Sequence, residues 1–84
     1  MSTHPDFRRA DDELIALLSH WLNGSLGNDE LRRRVQEVGS DELSPGQRTA
    51  VQEVLAELAA SSPGERDRLQ PIVKSTIETL VYGD

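Results

Sequence analysis

The side chains that could do chemistry are few, and most stand at helical spacing. Arg32-Arg33-Arg34 is the longest basic run, and neighbouring guanidiniums can hold a phosphate or carboxylate through paired hydrogen bonds. On a helix these three side chains would fan across about 200°, with Asp29, Glu30 and Glu37 three or four residues away as pairing partners. A solvated, self-neutralised face is the plainer reading. An anion-binding site is the alternative, helped by Arg8 or Arg9 if folding brings them near. Asp11-Asp12-Glu13 could pass for acid/base carboxylates, but adjacent helical residues point apart, and acids in a first turn complement the positive end of the helix dipole. His4 and His20 are the two histidines. With alanine at position 16 and glycine at 24, His20 lacks a second ligand one turn away, and no metal site is expected. No set of residues converges on a reaction, so the expectation is a non-enzymatic domain without a cofactor.

A surface is the better candidate. Ala50, Glu53, Ala56, Glu57 and Ala60 share one side of a helix, opposite Val51, Leu55 and Leu58. Small residues alternate there with two acids, so a partner helix bearing small residues and a lysine or arginine could approach closely. The plainer reading of the same strip is that alanine, the best helix former, accumulates on exposed faces.

Composition narrows the class. Eighty-four residues make one domain and are too few for two, and a chain of this size buries only about 60% of its unfolded surface. Fifteen acids against nine bases give a net charge of -6, which opposes phosphate backbones and anionic lipid and suits a basic protein partner. Nucleic acid is thus not an expected partner, whereas a homo-oligomer is compatible with the sequence. Cysteine is absent, which removes disulfides and thiolate metal sites. No apolar run approaches the ~18 residues of a membrane span and the first residues do not read as a signal peptide, so the expected location is cytoplasmic. Eight of the nine bases are arginine, a bias that a GC-rich bacterial genome would produce as readily as a binding task.

The elements that must position these groups are helices. Residues 1–5 read as a flexible tail and 6–84 as a single helical domain. Phe7, Ala10, Leu14, Leu17, Leu18 and Trp21 lie on one stripe at helical spacing, predicting helix one to about Asn23 from Asp6, which the stripe favours, or from Asp11, which the first-turn acids favour, with Trp21 as its core anchor and Gly24 as its left-handed cap. Asn28 is expected to cap helix two, whose apolar line is Leu31, Val35 and Val38, ended by Gly39. One helix-opening phrase then occurs twice, as Ser44-Pro45-Gly46-Gln47-Arg48 and Ser62-Pro63-Gly64-Glu65-Arg66. Each offers a serine N-cap, a proline at the first helical position and a Gln or Glu able to close a capping box. Leu43 precedes the first cap, where an apolar residue can brace the approach of the chain. Helix three should bury Val51, Val54, Leu55 and Leu58, and helix four Leu69, Ile72, Val73, Thr76, Ile77 and Leu80. Pro71 should kink or break helix four near Gln70. Tyr82 falls off that stripe. No strand-like alternation occurs, so the expected fold is all-α: a small four-helix bundle with antiparallel neighbours.

Three short resemblances touch real stretches. Leu26-Gly27-Asn28-Asp29-Glu30-Leu31 resembles the segment of acyl carrier proteins that carries phosphopantetheine on a serine, with Glu30 standing where that serine would be. Phe7 to Leu18 is similar to the opening helix of small helical chorismate mutases, though Gly24 and Gly27 end it early. Glu13 to Val38 resembles the first two helices of the acidic immunity proteins that inhibit nuclease colicins, without that family's tyrosine pair. The expectation from the whole sequence is a protein-interaction module, an adaptor, regulator or small acidic inhibitor, binding through a helix face. A small-ligand or anion-binding domain, possibly an enzyme subunit, using Arg32, Arg33 and Arg34 is the alternative.

Overall fold

The computed structural model describes residues 10–39 and 41–83. Four α-helices follow in order: α1 (Ala10–Leu22), α2 (Asn28–Val38), α3 (Pro45–Ala60) and α4 (Arg66–Tyr82), the last preceded by a single 3-10 turn, Pro63–Glu65. The tail expected at residues 1–5 and the earlier helix-one start, with Phe7, Arg8 and Arg9, lie outside the described residues. Each helix packs on the next, and α4 closes the ring against α1. Gln47 reaches Leu80 while Glu57 meets Arg68, so α3 and α4 run antiparallel.

One core cluster joins all four helices: Leu14, Leu18 and Trp21 from α1, Leu31 and Val35 from α2, Val51, Val54 and Leu58 from α3, and Leu69, Val73 and Leu80 from α4, with Leu43. These are the stripe positions, because an α-helix brings residues three and four apart onto one face. Leu55, Ile72 and Ile77 are only partly buried at its edge.

The helix ends show how local chemistry sets the boundaries. Gly24 takes φ +90, and the N–H groups of Gly24 and Ser25 donate to the carbonyls of Trp21 (3.1 Å) and His20 (2.8 Å), the paired bonds of a Schellman stop. Gly39 likewise ends α2 at φ 82, donating to the Val35 carbonyl. At Ser44 the capping box is reciprocal: the N–H of Gln47 donates to the Ser44 hydroxyl oxygen at 3.3 Å, and the N–H of Ser44 donates to Gln47 Oε1 at 3.0 Å.

Three expectations are corrected. The N-cap of α2 is Gly27, not Asn28; the Asn28 side chain is engaged elsewhere, its Oδ1 accepting from Trp21 Nε1 at 2.7 Å. The second serine phrase opens a 3-10 turn before α4 begins at Arg66. There the N–H of Ser62 donates to Glu65 Oε1 at 3.1 Å, and the N–H of Glu65 donates to the Ser62 carbonyl at 3.0 Å. At Pro71 the break does not occur: α4 runs through it as one helix. The proline is exposed, so the carbonyl of Asp67 that loses its donor opens to solvent instead of the core.

These caps make unequal predictions. Ser44→Ala removes a hydroxyl that accepts a backbone N–H and should cost about 1 kcal/mol in urea denaturation. Ser62→Ala should cost less, since its capping box with the exposed Glu65 opens only a single 3-10 turn and not the α-helix itself. Equal losses would show that the two starts work alike.

Candidate functional site

The five strip residues of α3 do not share one environment. Ala50 and Glu57 are half-buried toward α4, whereas Glu53, Ala56 and Ala60 face solvent. The Glu57 carboxylate lies 3.5 Å from Arg68 of α4, which also reaches Glu65 at 3.6 Å and donates to the Ser61 hydroxyl at 2.7 Å. These groups are partly exposed, and such a pair adds little stability. Its consequence is positional: Glu57 and Arg68 tie the C-terminal half of α3 to the start of α4. Glu53 forms no ion pair among the described residues.

Between the same helices runs an open groove of about 330 Å³ lined by Ala50, Glu53, Pro71, Ile72, Ser75, Thr76 and Thr79. Its hydroxyls are largely spent on the helix itself, Thr76 Oγ1 donating to the Ile72 carbonyl at 2.9 Å and Thr79 Oγ1 to the Ser75 carbonyl at 3.2 Å. A second groove, about 230 Å³, lies between α2 and α3 and is lined by Val35, Gln36, Gly39, Val51, Gln52 and Leu55.

The arginine run behaves as a helix face. Arg33 and Arg34 both pair with Glu30, at 3.3 and 3.1 Å, as the i,i+3 and i,i+4 spacing implies. Arg32 and Arg33 line an open surface hollow with Asp29, Glu30 and Gln36, so any anion entering it meets two carboxylates. Arg8 and Arg9 lie outside the described residues. Among the described residues no group of three His, Asp or Glu side chains could hold a metal, and no helix is long and apolar enough to cross a membrane.

Two arrangements escaped sequence reasoning. The guanidinium of Arg66 lies over the Trp21 ring, 4.2 Å from its centroid, and donates to the carbonyls of Leu26, at 3.2 Å, and Trp21. Gln47 is buried at 5% exposure; besides closing its capping box, it donates from Nε2 to the Leu80 carbonyl at 3.0 Å. Both contacts cross more than thirty residues, and neither arginine nor glutamine advertises such a reach in sequence. Tyr82, 78% exposed, stands off the α4 core stripe as its spacing predicts.

No family model, no curated protein and no solved structure matches this chain.

Proposed function

We propose that the domain is a non-enzymatic protein-interaction module, an adaptor, regulator or small inhibitor acting in the cytoplasm, that binds a basic or helical partner through α3. The observation that supports this reading most is the outer face of α3. Exposed Ala56 and Ala60 leave the helix backbone open to close approach, and beside them Glu53 carries a charge that no described cation neutralises. Low relief and uncompensated negative charge suit a partner surface with small residues and an arginine or lysine. The arginine alternative has less support, because Arg33 and Arg34 are drawn onto Glu30 and the hollow beside them contains two acids.

Against a partner recovered from the native host, Ala56→Arg should lower affinity at least about tenfold while leaving the melting temperature nearly unchanged. Glu53→Lys should weaken binding more at low salt than at high salt, since an exposed charge pair is screened. Unchanged affinity in both variants would move the binding surface off this face.

A further inference from the structure

Resting on that reading, we propose that the α3–α4 groove is the seat of the interaction and that its occupant is a cationic helix of another protein, carrying small residues where it lies against Ala50 and Ser75. The groups that the groove leaves free favour a cation, the Ser75 hydroxyl being the one that can donate as well as accept. Glu53 lines it with an unpaired carboxylate, and none of its lining residues is a cation. Pro71, also in the lining, cannot donate to the Asp67 carbonyl, so an acceptor without its helical donor stands at the rim. The threonine hydroxyls already donate to their own helix. Such a lining rewards an incoming arginine or lysine and offers an incoming carboxylate no cation, only the Ser75 hydroxyl.

The shape agrees with the charge. Arg68, held by Glu57 and Glu65, marks the end of the groove nearest the start of α4. Toward the other end, Tyr82 falls within about 20° of Pro71 on the α4 wheel and roughly 16 Å further along the axis. An exposed aromatic therefore stands on the rim that Pro71 begins, where it can stack on a guanidinium or an apolar side chain of the occupant. Glu78, exposed on the same side of α4, stands one turn from the exposed Lys74 and adds no net charge to that rim.

A displayed library of helical peptides about 16 residues long, with one face randomised, tests this with a defined probe. Selection on the wild-type domain should enrich helices bearing Arg or Lys beside Ala, Gly or Ser. The affinity of the selected peptides should fall at least about tenfold with Ser75→Arg, which fills the groove and repels the cation, and about tenfold with Tyr82→Ala. Circular dichroism melts of both variants should match wild type, since Ser75 and Tyr82 are exposed. In the selection, the inference is overturned by selected helices that are neutral or acidic, by no selected helix at all, or by binding indifferent to Ser75→Arg. If binding is indifferent to Ser75→Arg but lost with Ala56→Arg, the outer face of α3 binds alone and the functional reading survives. If it is indifferent to Ser75→Arg, Ala56→Arg and Glu53→Lys, that reading fails as well. A wild-type dimer in sedimentation velocity that Ser75→Arg dissociates makes the occupant a second copy of this chain and overturns the proposed partner class.

Discussion

Trp21→Ala should cost about 3 to 5 kcal/mol, a large share of the stability of a domain this size. Trp21 has 0% exposure at the centre of the core cluster, so its removal leaves the largest void a single substitution can make here. The ring is also where three elements meet. Its Nε1–H donates to Asn28 at the start of α2, and Arg66 of α4 lies across its face. At about 0.05–0.15 kcal/mol per residue, a domain this small has roughly 4–13 kcal/mol in all, and the loss takes much of it. The wild-type protein should emit well to the blue of free tryptophan and shift red on unfolding. Trp21→Phe keeps most of the packing but strands the part-buried Asn28 acceptor, and should cost about 1 to 3 kcal/mol. Wild-type emission near that of free tryptophan, or a full-strength melt from Trp21→Ala, would remove Trp21 from the core.

Arg66→Ala should be unusually damaging for a charged residue, costing about 2 to 4 kcal/mol. The half-buried guanidinium donates to two carbonyls, one of them at the C-terminal end of α1, and covers the indole face. Hydrogen bonds from a charged donor contribute about 1.5–3 kcal/mol, and a cation–π contact about 0.5–2 kcal/mol; the three share one side chain and do not sum. Arg66→Lys should recover only part of the loss, because an ammonium lacks the planar fork that serves both carbonyls while stacking. Urea denaturation of the pair checks this. A loss under about 0.5 kcal/mol for Arg66→Ala would show that solvent replaces those bonds at no cost.

Local rules carried much of this protein. The stripe of Leu14, Leu18 and Trp21 declared a helix face, and Gly24 and Gly39 declared stops, because left-handed backbone is cheap for glycine alone. Ser44-Pro45-Gly46-Gln47 declared a start, since a capping box closes within four residues. Each of these interactions is contained in one turn, so spacing in sequence determines distance in space. Where two local partners compete, the same logic is incomplete. Asn28 was as good a cap for α2 as any, until the indole of Trp21 offered a buried donor that only the side-chain amide could meet.

On the surface, the sequence determined which residues stand on which side of a helix but not what stands opposite them. It put Ala50, Glu53, Ala56, Glu57 and Ala60 on one side of α3, and Arg33 and Arg34 within reach of Glu30. Tertiary structure decided that Glu57 turns to Arg68 while Glu53 stays unpaired, and that Pro71 and Ser75 wall a groove with Ala50. It decided too that Arg66 and Gln47, polar residues on ordinary helix starts, serve carbonyls 45 and 33 residues away. Helical periodicity is a property of one segment, whereas the facing of α3 and α4, and the arrival of α4 over Trp21, depend on how four apolar stripes close around a common core.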